Sequence, residues 1–229
     1  MEMSPTVTHR LLTTLQKHGY VVQDENTQQY ELGMKFLEFA SLLQDKLDFK
    51  DMLAPFMKAL ATSTGETIFL TWLEGNRGLS IAIAESNQSI KFQVKVGSKK
   101  SLHAAASNLI ILAYLPEDLQ DQILTGKLEK FTEKTITDPV QLKEKIKKIK
   151  ELGYSCTLGE TTPDAIGIGV PLFDSTGRII ASLNVAGPAY RLPEKEINRI
   201  IDLLRKKQQN VQGLINKLGL THAQIQSSL

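Results

Sequence analysis

Two polar segments of this sequence carry the side chains best suited to binding a small molecule. The first runs from Val96 to Asn108 and is typical of a loop that leads into a helix. The unpaired backbone amides and the dipole at a helix N-terminus attract anions, and Ser101 and Ser107 add hydroxyl groups. The segment therefore predicts a site for a small anion. A plain helix start that packs closely through small side chains is an equally weighted alternative.

The second segment extends from Tyr154 to Gly167 and places polar side chains at the end of a strand and in the loop that follows. Further along, Asn184 interrupts a strand whose neighbouring residues are apolar. A polar side chain that points into a core must find a hydrogen-bond partner. We therefore expect Asn184 either to join a side-chain network or to contact a ligand.

Catalysis and metal binding are both disfavoured by the residue pattern. Cys156 and His103 would form a thiolate nucleophile activated by an imidazole, but a buried structural cysteine is the favoured interpretation. The four histidines are scattered, and a single cysteine cannot build a closed zinc site. The sequence also lacks the glycine-rich motifs that bind nucleotide phosphates. We expect no catalytic residue, no metal and no cofactor.

A third pattern, in residues 4–32, is typical of DNA recognition. Ser4 is a favoured N-cap, Pro5 suits the first turn of a helix, and Gly19 can end it. One face of this helix is apolar and the other is polar or cationic. Two strand-like runs follow as a hairpin, and a helix with such a hairpin forms the second half of a winged helix-turn-helix. The side chains expected to contact bases and phosphates are Ser4, Thr6, Thr8, His9, Arg10 and Thr13.

Charge argues against a complete DNA-binding surface in this part of the chain. Residues 1–33 carry two basic and four acidic side chains, which gives a formal charge of −2, whereas the whole chain carries +2. Phosphate contacts require a basic surface. The helices that normally precede a recognition helix also have no counterpart in the sequence. We therefore expect a partial module in an N-terminally shortened chain.

The order of several motifs resembles IclR-type bacterial transcription regulators. Each motif alone is weak, but their order and spacing are specific and extend over nearly the whole chain. The matching stretches are SPTVTHRLLTTLQKHGYV (4–21), YELG (30–33), VGSKKSLHAAASNLIILAYL (96–115), TITD (135–138), ELGYSCTLGE (151–160) and IGVPLFDSTGRIIASLNVAGP (168–188).

The resemblance implies a ligand-responsive regulator that senses a small organic acid and binds operator DNA as a homodimer or a dimer of dimers. By position in the family motifs, the pocket residues lie on the last strands, with Glu160 near the mouth. Asp164 stands where glycine is usual, and Asn184 where serine is frequent. The residues expected at the ligand site are Phe92, Leu102, His103, Ala106, Ser107, Thr157, Glu160, Ala165, Gly167, Asn184 and Ala186.

The elements that must position these residues indicate an α+β fold. A helix at 51–64 precedes three strands, expected at 66–74, 79–86 and 90–96, and helices at 103–115, 116–124 and 141–152 follow. Three more strands are expected at 154–160, 166–174 and 178–186, before a long helix at 193–217. Short turns between strands predict a mainly antiparallel sheet, which matches the six-stranded GAF/PAS-like sensor domain that the resemblance implies.

The predicted domains are a partial winged helix-turn-helix (1–33), a linker or dimerisation helix (34–50), an effector-binding GAF-like domain (51–219) and a loose tail (220–229). With 41% hydrophobic and 23% charged residues, the composition is that of a globular protein. No apolar run approaches the roughly 20 residues that span a bilayer, and a single cysteine fits a reducing cytoplasm. We expect a cytoplasmic protein with no membrane partner. A sensor or oligomerisation domain without DNA binding of its own is the main alternative.

Overall fold

The computed structural model describes residues 4–44 and 48–229, with the side chains of 40–44 and 48 left out. The chain divides into a small unit that ends at Asp48 and a large unit, Phe49–Ser227. The helix predicted over 34–50 corresponds to one helix that ends at Gln44 and to the start of another at Asp48. Its residues 45–47 lie outside the described part.

The small unit consists of a helix, a hairpin and a second helix, in the order that the sequence predicts. The elements are α1 (Pro5–Lys17), β1 (Val21–Gln23), β2 (Tyr30–Leu32) and α2 (Lys35–Gln44). The Ser4 hydroxyl accepts a hydrogen bond from the Val7 amide at 3.4 Å and caps α1. Gly19 adopts φ +73°, a left-handed conformation that ends the helix.

A close approach of the backbone to itself holds the hairpin against α1. A Cβ atom on Gly33 would lie 2.1 Å from the carbonyl oxygen of Gly19, so this position requires glycine. The Gly33 amide donates to the Tyr20 carbonyl at 2.8 Å. The ring of Tyr20 stacks on Phe39 and meets Phe36 edge-on, with centroid distances of 5.9 and 5.8 Å. These contacts tie the hairpin to both helices.

The large unit is built on a six-stranded sheet in which every neighbouring pair is antiparallel. The strand order is β5-β4-β3-β8-β7-β6, which confirms the predicted α+β fold class and the antiparallel sheet. The central pair joins two hairpins that are distant in sequence, with Phe69 opposite Asn184. The strands are β3 (Thr67–Glu74), β4 (Arg77–Ala84), β5 (Lys99–Ser101), β6 (Ser155–Leu158), β7 (Ala165–Phe173) and β8 (Ile179–Pro188).

Helices cover the sheet and complete the core. The fourth helix packs across β6, β7 and β8, and the seventh packs on β7 and β8. A buried cluster that includes Leu109, Leu142 and Ile146 joins the fourth helix to the sixth. The helical elements are α3 (Asp48–Thr64), α4 (Ala106–Tyr114), α5 (Glu117–Leu124), α6 (Pro139–Leu152), the 3-10 turn η1 (Ala189–Arg191), α7 (Glu194–Leu218) and α8 (His222–Ser228).

The third strand was predicted at 90–96, and this prediction is wrong. That segment is irregular, although the Thr67 hydroxyl anchors it by donating to the Phe92 carbonyl at 2.9 Å. The outer edge of β4 pairs instead with β5, and the backbone of Ser80 bonds to that of Gly97 and Ser98. The part of this edge from Arg77 to Ser80 is therefore paired with residues 97–101, and the alternating apolar residues of 90–96 do not join the sheet.

The tail predicted over 220–229 is not loose, since residues 222–228 form α8. Ile225 is buried, and the amide of His222 donates to the Asp174 carboxylate at 3.0 Å. The imidazole of His222 stacks on Trp72 with a centroid distance of 5.1 Å. The buried side chain of Ile225 and the hydrogen bond at the start of α8 therefore hold this segment in place, although its composition predicted neither a helix nor a strand.

We predict that acid weakens the docking of α8. Burial lowers the pKa of His222 below its usual 6.5, and nearby Arg178 adds to this effect while Asp174 opposes it. The folded state thus prefers neutral imidazole, so this contribution to stability is present above the unfolded pKa and is lost as pH falls through the folded pKa. The fluorescence of Trp72, the only tryptophan, will show an inflection below pH 6.5 that is absent in His222→Gln. The same inflection in both proteins would contradict this prediction.

Candidate functional site

A cavity of about 320 Å³ opens in the large unit beside the N-terminus of α4. Residues of all six strands of the sheet contribute to its wall, together with the segment 92–98, the start of α4 (105–108) and the loop 160–162. Its volume is at the small end of the range that ligand pockets occupy. The cavity therefore suits a small molecule rather than a large cofactor.

Nine of the eleven residues that the sequence assigned to the ligand site lie in the wall of this cavity. They come from four separate parts of the chain, which the sheet and α4 bring together. The nine are Phe92, Ala106, Ser107, Thr157, Glu160, Ala165, Gly167, Asn184 and Ala186.

The other two residues, Leu102 and His103, belong to the interior and not to the cavity wall. Leu102 is fully buried in the cluster beneath α4. Nδ1 of His103 lies 2.8 Å from the Ser101 hydroxyl, and Nε2 lies 2.9 Å from the Glu129 carbonyl oxygen. Its ring also stacks on Phe131. Both side chains are held by the core, so the structure does not bring these two residues to the cavity, and their predicted contact with ligand stays a prediction.

The N-terminus of α4 is partly occupied by the protein's own side chains. The Ala105 amide donates to Glu160 Oε2, and the Ala106 amide donates to Thr157 Oγ1, each at 3.1 Å. Ala105 adopts φ +71°, which an L-residue rarely does. The carbonyl oxygen of Ser107 accepts a hydrogen bond from the Ser182 hydroxyl at 2.8 Å. Within the described chain its amide and hydroxyl make no hydrogen bond, so these two donors are available to a ligand.

Glu160 braces the mouth of the cavity. Its carboxylate forms an ion pair with Lys145 of α6 as well as the hydrogen bond to α4. Its carbonyl oxygen accepts from the Thr135 hydroxyl at 2.6 Å. The side chain is only 6% exposed, and its partner Lys145 neutralises its charge. Glu160 therefore repels an anion in the cavity less than an unpaired carboxylate would.

Sequence reasoning missed two lysines that border the cavity and are exposed to solvent. Lys95 and Lys100 both line the cavity. The neighbouring Lys91 and Lys99 pair with Glu85 and Glu74, whereas Lys95 and Lys100 form no ion pair within the described residues. Lysines with and without an ion pair alternate along residues 91–100, so the sequence alone does not show which of them are paired.

Two buried asparagines line the same cavity with unequal hydrogen bonding. Nδ2 of Asn184 donates to the carbonyl oxygens of Phe69 and Ser182, at 3.1 and 2.9 Å. Nδ2 of Asn108 donates to the Ala104 carbonyl at 3.1 Å. The Oδ1 atoms of both residues are buried without a partner in the described chain. Asn184 is therefore networked through its nitrogen and unsatisfied at its oxygen.

The polar face of α1 presents three side chains to solvent without local partners. Thr6, His9 and Arg10 are exposed, and no hydrogen bond holds them within the described residues. Thr8 and Thr13 donate to the carbonyls of the preceding turn, at 3.2 and 2.9 Å, and the hydroxyl of Ser4 is used as a cap. Of the residues predicted to contact DNA, Thr6, His9 and Arg10 are thus the most available.

An apolar stripe runs along another side of α1. Val7, Leu11 and Leu15 recur at steps of four residues and are 47%, 46% and 39% exposed. The predicted apolar face therefore exists, but the small unit does not bury it.

Cys156 is not the buried cysteine that the sequence favoured. It is exposed on the edge strand β6, and desolvation raises the pKa of its thiol. Both ring nitrogens of His103 are bonded elsewhere, so the Cys156 and His103 pair has no geometric support. Among the described residues no three metal-ligating side chains cluster, and none of their helices is both long and apolar enough to cross a bilayer.

We predict that Thr157→Val destabilises the large unit by about 1–3 kcal/mol, because it leaves the Ala106 amide buried without its acceptor. Denaturant unfolding will measure the loss. Thr162→Val is the matched control, since Thr162 is exposed in the adjacent loop and should change stability by less than about 0.5 kcal/mol. Equal effects of the two substitutions would contradict the structural role of Thr157.

Both units of the chain resemble parts of known proteins. Residues 42–212 match the family model for the bacterial transcriptional regulator IclR C-terminal domain, and residues 1–25 match the IclR helix-turn-helix domain. The HTH-type transcriptional regulator BhcR of Paracoccus denitrificans is 30% identical over 88% of this chain and 73% of its own length. KipR of Bacillus subtilis is 29% identical over 96% and 86%. The crystal structure of Thermotoga maritima IclR superposes with a TM-score of 0.77 at 28% identity, over 93% of this chain and 87% of that one.

Proposed function

The chain belongs to the IclR family of bacterial transcriptional regulators, and from this premise we propose that it regulates transcription by sensing a small organic acid in its large unit. The single observation that carries the proposal is the cavity beside α4. Lys95 and Lys100, which form no ion pair among the described residues, line this cavity together with Ser107, whose amide and hydroxyl make no hydrogen bond within that part of the chain. A carboxylate is the smallest common group that satisfies both.

The charges and donors of the cavity support an anionic ligand. Lys95 and Lys100 attract a carboxylate into a wall that is otherwise partly apolar, and the amide of Ser107 lies in the first turn of a helix, where the dipole favours negative charge. Because Glu160 is already paired with Lys145, it does not cancel this preference. The nine wall residues that the sequence predicted are proposed as the ligand site, together with Lys95, Lys100 and Asn108.

DNA binding is assigned to the small unit. We propose that α1 enters a major groove and that Thr6, His9 and Arg10 contact bases and phosphates, with Ser4, Thr8 and Thr13 beside them. Two copies of the module, in a homodimer or a dimer of dimers, would match a two-fold operator. The proposed regulator would act in the cytoplasm, where operator DNA is found in bacteria.

Ligand and DNA are coupled if the acid binds one arrangement of the subunits better than another. The shift in population can be no larger than the difference between the two affinities. The wall of the cavity offers such a difference, because a ligand at Ser107 would share the start of α4 with Glu160 and Thr157. Movement of these residues reaches α6 through Lys145.

A second candidate is a sensor or oligomerisation domain without DNA binding of its own. The formal charge of −2 on residues 1–33 favours this candidate, since most of the affinity for DNA comes from phosphate contacts. The exposed side chains of Val7, Leu11 and Leu15 also mean that α1 buries little apolar surface, so few contacts hold this helix in a fixed orientation. An experiment on DNA binding decides between the two.

We predict that this chain retains duplexes from a random-sequence library and that Arg10→Ala weakens the selected complex by about 1–3 kcal/mol. Fluorescence anisotropy at two salt concentrations will measure the affinity. Arg77→Ala, which removes an exposed arginine of β4 in the large unit, is the matched control and should leave the affinity unchanged. Failure to retain any duplex would support the second candidate.

We also predict that small carboxylates raise the unfolding temperature of the chain. A ligand at one hundred times its dissociation constant adds about 2.7 kcal/mol to the stability. Ser107→Leu, which fills the space next to the predicted carboxylate, should abolish the shift. Ser175→Leu substitutes a half-buried serine in the turn before β8 and should retain it. A shift that survives Ser107→Leu would place the ligand elsewhere.

A further inference from the structure

We propose that α8 braces the first turn of α3 through Trp72, and that protonation of the His222 imidazole releases this brace. The helix α8 begins at His222, after residue 212, the last residue that the IclR C-terminal model matches. Phe49, Trp72 and His222, which form the brace, do not line the cavity beside α4. The brace is therefore separate from the site proposed for the acid.

The turn between β7 and β8 forms a seat for the start of α8. The Ser175 amide donates to the Leu220 carbonyl at 2.9 Å, and the His222 amide donates to Oδ2 of Asp174 at 3.0 Å. Asp174 is 3% exposed, and its Oδ1 atom accepts from the amide and the hydroxyl of Thr176. Hydrogen bonds within the turn thus fix the carboxylate that anchors α8.

The indole of Trp72 contacts both α8 and α3. The His222 ring stacks on it with a centroid distance of 5.1 Å and an interplanar angle of 22°. The Phe49 ring of α3 meets the same indole edge-on at 6.4 Å. Trp72 and Phe49 are each 2% exposed. Because the indole packs against both rings, loss of the His222 contact changes the surface that holds Phe49.

The first turn of α3 depends on such contacts because Pro55 separates it from the rest of the helix. Pro55 lies inside α3 and has no amide proton, so it cannot donate the helical hydrogen bond to the carbonyl of Asp51. Phe49 and Leu53 are buried, whereas Ala54 and Pro55 are exposed. The packing of two buried side chains therefore holds this turn in place.

Protonation of His222 opposes the docked arrangement. Burial lowers the pKa of the imidazole, Arg178 adds to this effect and Asp174 opposes it. Both charged side chains belong to the turn between β7 and β8, and Trp72 carries no ionisable group. The stabilisation is thus present above the usual pKa of 6.5 and is lost as pH falls through the lowered pKa.

Asp174 keeps its charge while His222 titrates. Burial alone would raise the pKa of Asp174, but the hydrogen bonds from Thr176, Arg178 and His222 outweigh burial and lower this pKa below its usual 3.8. The anchoring carboxylate is therefore still ionised when the imidazole gains its proton. Release of α8 in mild acid is then a property of His222 and not of its anchor.

Release of the brace has a consequence for DNA binding, which rests on the proposed function. The chain passes from the small unit into the large unit at Phe49. A loosened first turn of α3 gives the small unit more conformational freedom at the point where the chain joins the two units. That freedom must be lost again when two recognition helices bind one operator. We therefore expect release of α8 to weaken operator binding.

Two substitutions at His222 separate the aromatic contact from its protonation. His222→Phe keeps a ring beside Trp72 and cannot be protonated, whereas His222→Ala removes the ring. Hydrogen exchange of the full chain, followed by NMR, will give the protection factors of amides 52–54. These amides are the first in α3 that have a helical carbonyl four residues before them. Amides 146–149 of α6 serve as the internal reference for global unfolding.

In the unmodified chain, we expect protection of amides 52–54 to fall by about two- to tenfold between about pH 8 and about pH 5, the range in which histidine titrates. His222→Phe should keep the higher protection at both pH values, and His222→Ala should show the lower protection at both. An equal fall with acid in His222→Phe would overturn the role of protonation. Full protection in His222→Ala would overturn the brace. If His222→Ala also exposes the α6 amides, the comparison of His222→Phe with the unmodified chain decides.

Fluorescence anisotropy at one pH tests the consequence for DNA without titrating His9. At about pH 8, His222→Ala should bind a selected duplex at least about threefold more weakly than His222→Phe. Equal affinities would overturn the link to DNA. If none of the three proteins retains a duplex, the proposed DNA binding fails, and hydrogen exchange alone decides whether α8 braces α3.

Discussion

The antiparallel pairing of β3 with β8 is the contact on which the large unit depends. It sets Phe69 opposite Asn184 and Thr71 opposite Ser182, and so joins two strands whose paired residues are more than a hundred positions apart in the chain. A shift of one residue in this register would turn Asn184 to the other face of the sheet. The hydrogen bonds that Asn184 Nδ2 donates to the Phe69 carbonyl and the Thr71 hydroxyl of β3 hold the register from the cavity side. The same pairing therefore builds the core and places the polar floor of the cavity.

The start of α4 completes the cavity because other parts of the chain hold it in a strained conformation. Ala105 keeps φ +71° while its amide bonds to Glu160, and the next amide bonds to Thr157. A backbone of this kind costs about 1–3 kcal/mol and persists only where its surroundings fix it. Lys145 secures Glu160 from α6. The strained backbone at Ala105 and the two lysines that form no ion pair among the described residues thus lie at the same cavity, which sets it apart from a packing defect.

Sequence patterns predicted the elements whose signals are local. The cap at Ser4, the left-handed Gly19 and the turns between strands all appear where their residue types require them. The segment 90–96 was misjudged because its alternation favours a strand, whereas β4 pairs on that side with β5, which lies further along the chain at Lys99–Ser101. The helix α8 was missed because its docking depends on Trp72 and Asp174, which are remote in sequence.

The candidate site shows the same division. Family motifs placed nine residues in the cavity wall, yet they also suggested His103, whose imidazole is fully used by Ser101 and Glu129. Lys95 and Lys100 were missed because pairing of a lysine is decided by neighbours in space.

The most direct measurement is a crystal structure of the chain grown with the carboxylic acid that binds it most tightly. We predict that the carboxylate will lie beside Ser107, Lys95 and Lys100. An acid bound outside this cavity, with the cavity unchanged, would contradict it.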